Sequence, residues 1–185
     1  MNYKAVIIGG SAGSFQIVTR ILNSLSPNFP LPVLLCLHRL KHVRSGFVEA
    51  LSIKSTIQII EPNDKDPIKP GKAYLAPANY HMYVELGNRI ALSTEESVNH
   101  SRPSIDLSFI TAAEAYRDKL IAIILSGANK DGAYGIKKVN DYGGLTIVQD
   151  PNECQVKTMT EASIKMTKID HIYSTNEIIR FLNKL

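Results

Sequence analysis

A strand-like run followed by a glycine-rich turn opens this chain and does most to limit its fold. Residues 4–8 predict a buried strand, and residues 9–13 form a Gly-x-Ser-x-Gly pattern directly after it. The apolar side chains that follow share one face of a helix, namely Ile17, Val18, Ile21, Leu22 and Leu25. A serine on a strand-to-helix turn is typical of a nucleophile elbow. Glycines make such a turn tight and let a substrate approach Ser11 closely.

Apolar runs and helical patterns alternate along the rest of the chain. Further strands are predicted at residues 33–37, 56–60, 72–76, 120–125 and 145–148. Residues 81–86 and 89–93 flank a Gly87-Asn88 turn, which predicts a hairpin, and residues 174–177 form a capping box before a last helix. We expect one domain over residues 1–185, of the α/β class. Its sheet should be mostly parallel and doubly wound, covered on both faces, with a small antiparallel hairpin.

Charge and hydropathy exclude several classes of function. The formal net charge of +4 is slight, and the densest basic stretch, residues 38–44, is too short to indicate nucleic-acid binding. No run of about twenty apolar residues is present, so we expect no membrane insertion. Cys36 lies in an apolar run and Cys154 in a polar loop, and no secretory signal is visible. We therefore expect a cytoplasmic protein without a disulfide.

Three reactive side chains follow predicted strands at one edge of the sheet. Ser11 follows the first strand, His38 the second, and Asp131 comes shortly after residues 120–125. Sites in doubly wound sheets form beyond the carboxyl ends of strands. A serine needs a base to take its proton, a histidine can do so near neutral pH, and a carboxylate fixes the histidine tautomer. The chain order Ser, His, Asp differs from that of the α/β-hydrolases.

Each of these residues also has a structural interpretation. Ser11 could be a helix N-cap, His38 a hydrogen-bonded histidine at a strand end, and Asp131 the cap of the following helix. The coincidence of all three at strand ends favours catalysis. The remaining histidines are the rival bases His42, His81 and His100, and His171, which lies too near the C-terminal helix to be attractive.

The sequence contains no convincing pattern for a nucleotide-binding or metal-binding site. Residues 9–14 do not match Gly-x-Gly-x-x-Gly, and residues 37–39 offer no acidic side chain for a ribose hydroxyl. No Walker pattern is present, and no set of His, Cys and carboxylate residues has convincing metal-ligand spacing.

Taken in order, these features resemble the catalytic domain of the CheB-type chemotaxis protein-glutamate methylesterase family. The matching stretches are residues 8–13, His38, residues 70–77, residues 81–82, residues 101–106, residues 124–127 and residues 131–132, which cover nearly the whole chain. The resemblance implies a three-layer α/β/α domain and a serine hydrolase that needs no cofactor.

The resemblance also implies roles for individual residues. Ser11 would be the nucleophile, His38 the general base and then acid, and Asp131 the orienting carboxylate. The backbone N–H groups of Ala12 and Ala128 are candidates for the oxyanion site. The implied substrates are γ-glutamyl methyl esters on cytoplasmic helices of methylated chemoreceptors, or a similar helical signalling protein. Many members of the family also deamidate receptor glutamines.

The chain departs from the family pattern around the site. Ser14 stands where glycine is usual, Ala12 where a hydroxyl residue is usual, and Thr160 where proline follows methionine. Residues 39–40 replace Met-Pro, and residues 128–130 replace a loop richer in glycine. The altered rim around Arg39, Ala128 and Thr160 motivates an alternative, a catalytically weak module that binds a helical signalling protein.

Control of activity is a further open point. The family often carries an N-terminal phospho-receiver domain, and we expect none within residues 1–185. A separate phospho-receiver regulator that acts in trans is therefore an open alternative.

Overall fold

The computed structural model describes residues 2–38 and 46–185. The strands are β1 (Ala5–Gly10), β2 (Val33–Leu37), β3 (Gln58–Ile60), β4 (Lys72–Leu75), β5 (His81–Glu85), β6 (Arg89–Ser93), β7 (Leu120–Ile124), β8 (Leu145–Gln149) and β9 (His171–Tyr173). The α-helices are α1 (Ser14–Ser24), α2 (Phe47–Ser52), α3 (Ile105–Tyr116), α4 (Ala133–Asp141), α5 (Thr158–Met166) and α6 (Thr175–Leu182).

The described strands form a seven-stranded parallel sheet and a separate hairpin. The order in the large sheet is β3-β4-β2-β1-β7-β8-β9, and β5 pairs with β6 in antiparallel fashion. The connections between parallel neighbours carry the helices to the two faces of the sheet. The predicted α/β class, with its mostly parallel sheet and small antiparallel hairpin, is confirmed.

Alternation along β1 shows how the two faces are filled. Ile7 belongs to a buried cluster that contains Phe109 of α3 and Ile136 of α4. Ile8 belongs to a second buried cluster, on the other face, that contains Leu22 of α1. All six residues of β1 are buried, because helices cover both sides of this central strand.

The register of the central strands brings three loops to one edge. Gly10 pairs with Leu37 of β2, and Gly9 pairs with Ile124 of β7. Beyond the strands, the His38 N–H donates to Gly10 O at 3.0 Å and the Ser11 N–H donates to Ser126 O at 2.9 Å. The loops that follow β1, β2 and β7 are therefore neighbours.

Two elements were not predicted, α5 and β9. The buried side chains of α5 are Met159, Thr160 and Ser163, and its N-cap, Lys157, makes no side-chain cap bond. A helix with polar residues on its buried face lacks the apolar period that predicts one. β9 has three residues, none of them buried, at the edge of the sheet. Within the described residues, no helix is both long and apolar enough to cross a bilayer.

Candidate active site

The Gly-x-Ser-x-Gly stretch forms the sharp turn between β1 and α1. The N-cap of α1 is Gly13, at a φ of +82°, so the N-cap interpretation of Ser11 is wrong. A Cβ atom at Gly13 would also lie 2.8 Å from Ser126 Oγ. Glycine is needed at this position both for its backbone conformation and for the close approach of the neighbouring loop. Ser11 itself is half-buried.

Ser126 fastens this turn to the loop that precedes α5. Its Oγ lies 2.7 Å from Ala12 O and 3.0 Å from Val156 O, and it accepts from the Val156 N–H at 3.1 Å. The side chain is fully buried. Ser126 belongs to a family motif in the sequence, but its role was not predicted, because its partners lie far away along the chain. The hydroxyl therefore has a structural role, since it holds the turn that follows Ser11 against the loop at Val156.

His38 and Asp131 form a close pair beyond β2 and β7. His38 Nε2 donates to Asp131 Oδ2 at 2.8 Å, and the His38 side chain is 13% exposed while that of Asp131 is fully buried. With Nε2 carrying the proton, Nδ1 keeps the lone pair of the ring. The side-chain amide nitrogen of Asn129 lies 3.5 Å from Nδ1. The nitrogen able to act as a base is thus Nδ1.

Asp131 precedes α4 in the chain, but its carboxylate lies against the start of α3. Its carboxylate accepts from the Ile105 N–H at 2.7 Å, the Asp106 N–H at 3.1 Å and the Ser104 hydroxyl at 3.0 Å. The N-cap of α4 is Gly132, so the interpretation of Asp131 as the cap of α4 is wrong. Burial opposes ionisation, but the hydrogen bonds from His38 and from the two backbone N–H groups outweigh it. The pKa of Asp131 is therefore lowered.

Asp106, and not Asp131, accepts hydrogen bonds from the backbone at the start of α4. Its Oδ1 accepts from the Gly132 N–H at 2.8 Å and from the Gly135 N–H at 2.7 Å. Burial, together with the nearby charge of Asp131, raises the pKa of Asp106 despite these bonds. Asp106 stood in a family motif in the sequence, but no local pattern indicated that it faces the start of α4.

The other histidines that the structure describes, two of them rival bases, lie in surroundings different from those of His38. His81 is buried, its Nδ1 accepts from the Ser104 N–H at 3.2 Å, and its Nε2 therefore donates to Glu96 O at 2.9 Å. Both ring nitrogens of His81 are thus occupied by structural bonds. His100 is exposed in a turn, and His171 stacks on Tyr173 with ring centroids 4.6 Å apart. His42 lies outside the described residues.

The two backbone N–H groups proposed for the oxyanion site make no hydrogen bond among the described residues. Among the described residues, neither the Ala12 N–H nor the Ala128 N–H has a hydrogen-bond acceptor. The described contacts also include no hydrogen bond between Ser11 Oγ and His38. The part of the chain that the structure describes contains no cluster of three or more His, Cys, Asp or Glu side chains suited to a metal ion.

The sequence and the fold were both compared with those of known proteins. The sequence pattern of the CheB methylesterases matches residues 6–182. The chain belongs to the CheB methylesterase family. The crystal structure of the Thermotoga maritima CheB methylesterase catalytic domain superposes with a TM-score of 0.93 at 31% identity, over 100% of this chain and 99% of that one. The expected family membership is confirmed.

Two relatives show how the chain compares in length with other CheB methylesterases. A Leptospira interrogans protein, provisionally named a protein-glutamate methylesterase/protein-glutamine glutaminase, is 40% identical over 185 residues, covering 100% of this chain and 96% of that protein. The Thermotoga maritima protein of that name is 32% identical over 182 residues, covering 95% of this chain but 52% of the relative. The chain thus spans about half the length of the second relative.

Two of the residues that depart from the CheB pattern are buried and make structural hydrogen bonds. Ser14 is buried and donates from Oγ to Ser11 O at 2.7 Å, so it tightens the turn. Thr160 is fully buried, with Oγ1 donating to Lys157 O at 2.9 Å, so its assignment to an altered rim is wrong. Arg39 lies outside the described residues.

A groove of about 540 Å³ lies beside the site. The residues that line it include Asn99, Lys130, Tyr134, Ala162 and Met166.

Proposed function

We propose that this protein is a serine hydrolase that removes methyl groups from glutamate γ-methyl esters on cytoplasmic chemoreceptor helices. The observation that carries the proposal is the 2.8 Å bond between His38 Nε2 and buried Asp131, beside the turn that holds Ser11. The names of the relatives support the same chemistry and add glutamine deamidation. The chain would act in the cytoplasm as a single catalytic domain on a methylated chemoreceptor or similar helical protein.

The first half of the reaction acylates Ser11. Ser11 Oγ attacks the ester carbonyl carbon while its proton passes to His38 Nδ1. Asp131 stabilises the imidazolium through Nε2. The negative oxygen of the tetrahedral intermediate accepts from the N–H groups of Ala12 and Ala128, which have no other described acceptor. Collapse breaks the bond to the methoxy oxygen, which takes the proton from Nδ1 and leaves as methanol.

The second half releases the product. Water takes the place of methanol, gives a proton to His38 Nδ1 and attacks the glutamyl-Ser11 ester. Collapse breaks the ester bond, Ser11 Oγ recovers the proton, and a glutamate side chain remains on the receptor. A glutamine side chain would follow the same course with ammonia as the leaving group. The groove is lined by Asn99 and Asp106, which neighbour Asp131, so it could receive a protein segment on the Asp131 side of the site.

Release of methanol tests this proposal. The protein is incubated with membranes that contain a receptor carrying isotopically labelled methyl esters, and volatile label is collected. Wild-type protein should release methanol, and Ser11→Ala should not, although it folds. Ser14→Ala is the matched control, since it removes a neighbouring hydroxyl that only tightens the turn. Equal release by wild type and Ser11→Ala would contradict the proposal.

The binding-module alternative loses part of its basis. It depended on an altered rim, and one of the three rim residues, Thr160, is buried inside the first turn of α5. We therefore propose the hydrolase alone. Control by a separate phospho-receiver partner stays a prediction, which a change in methanol release on adding a phosphorylated receiver would test.

A further inference from the structure

Asn99 bridges the two buried carboxylates of the site. Its Nδ2 atom lies 2.9 Å from Asp106 Oδ2 and 3.2 Å from Asp131 Oδ1. A side-chain amide nitrogen carries two N–H groups, so it can donate one to each oxygen. This bridge places a neutral donor between two groups that would otherwise face each other as like charges.

The backbone at Asn99 offers a purely structural reason for this residue. Val98 and Ser101 exchange backbone hydrogen bonds of 3.1 and 2.9 Å around a two-residue turn. Asn99 and His100 both have positive φ, at +51° and +60°. Asparagine tolerates this conformation better than most residues. His100 shares the conformation but donates to neither carboxylate, so the two residues separate the role of the turn from the role of the amide.

The charged and titratable groups around Asp131 determine how readily its carboxylate ionises. His38 approaches from the end of β2, and Asp106 and two backbone N–H groups approach from α3. The buried thiol of Cys36 lies within electrostatic reach of both carboxylates, and Lys130 precedes Asp131 in the chain. Two nearby buried carboxylates resist joint ionisation. Without a donor between them the pair would hold a proton more readily, which weakens the acceptor for His38.

We propose that Asn99 is a positioning residue, whose amide holds Asp131 as an oriented, ionised acceptor and thereby maintains the His38 tautomer. The catalytic consequence rests on the proposed function. The effect on Asp131 does not, because the titration of a carboxyl group is measurable without turnover.

Two substitutions separate the amide from the turn. Asn99→Gly keeps the positive φ and removes the donor, whereas Asn99→Asp keeps the size and adds a third carboxylate. His100→Gly is the control, since it makes the same backbone change one residue along. The pKa of the Asp131 carboxyl is followed by carbon-13 NMR, with the signal assigned from Asp131→Asn. Hydrolysis of a small phenyl ester is measured on the same samples.

The proposal predicts a higher pKa for Asp131 in both Asn99 variants and no change in His100→Gly. It also predicts that kcat falls about tenfold in Asn99→Gly at unchanged KM, because a bond to a charged group is lost. An unmoved Asp131 titration in folded Asn99 variants would overturn it. If the titration moves but the wild-type protein releases no methanol from the methylated receptor, the proposed function fails and the positioning of Asp131 by Asn99 stands.

Discussion

Asp106 and Asp131 form a reciprocal pair, in which Asp106 of α3 caps the start of α4, and Asp131, just before α4, caps the start of α3. Asp106, in the first turn of α3, accepts from Gly132 and Gly135 at the start of α4. Asp131, just before α4, accepts from Ile105 and Asp106 at the start of α3. Helix N-termini offer unpaired N–H groups and favour negative charge. This exchange fixes the loop that carries Asp131, so the orientation of its carboxylate toward His38 is set by the packing of two helices.

Removal of Asp106 should destabilise the fold. Asp106→Ala leaves the N–H groups of Gly132 and Gly135 buried without acceptors, which should lower the free energy of unfolding by about 2 kcal/mol. Thermal denaturation followed by circular dichroism measures the change. Asp141→Ala is the control, because Asp141 forms an exposed pair with Lys137 that should contribute less than about 1 kcal/mol. Equal losses in the two variants would show that the helix exchange contributes nothing special.

The charge on Asp131 should make stability depend on pH in one direction. Its pKa is lowered in the folded state, so ionised Asp131 adds stability above the unfolded pKa of about 3.9, and this stability is lost as pH falls through the folded pKa. The gap in unfolding free energy between wild type and Asp131→Asn should therefore be constant near neutrality and shrink below about pH 4. Urea denaturation at several pH values measures it. A gap that widens on acidification would contradict the assignment.

Gly13 should be required for both stability and reactivity. Gly13→Ala forces a side chain into a positive-φ conformation and against Ser126 Oγ, which should cost about 1–3 kcal/mol and displace the turn that holds Ser11. Gly87→Ala is the control, since a Cβ there meets no atom within 4 Å. Denaturation and ester hydrolysis report the two effects. A Gly13→Ala protein as stable and as active as Gly87→Ala would disprove the requirement.

The sequence predicted the parts of this protein that depend on local pattern. Residues 33–37 are apolar throughout and form β2 as predicted, and the parallel arrangement brings the His38 N–H to Gly10 O, one residue before Ser11. The capping box at Ser174 and Glu177 is also present. In each case the signal lies within a few residues of the element that it predicts.

The remaining features depend on contacts between distant segments. Nothing near Asn99 in the sequence indicates Asp131, which lies 32 residues away. Asp131 was a plausible cap for α4 by position, but the loop turns its side chain toward α3 instead. Helix α5 escaped prediction because Thr160 and Ser163 occupy its buried face. Such packing is decided by the assembled sheet and helices, which a local pattern cannot report.

The most direct test of the account is covalent labelling of Ser11 with a fluorophosphonate probe, read by intact mass. Wild-type protein should gain one adduct at Ser11, and His38→Ala and Asp131→Asn should react about 1,000-fold more slowly because the base or its tautomer is lost. Ser14→Ala should label like wild type. Absence of an adduct in folded wild-type protein, or labelling that does not depend on His38, would contradict an activated nucleophile.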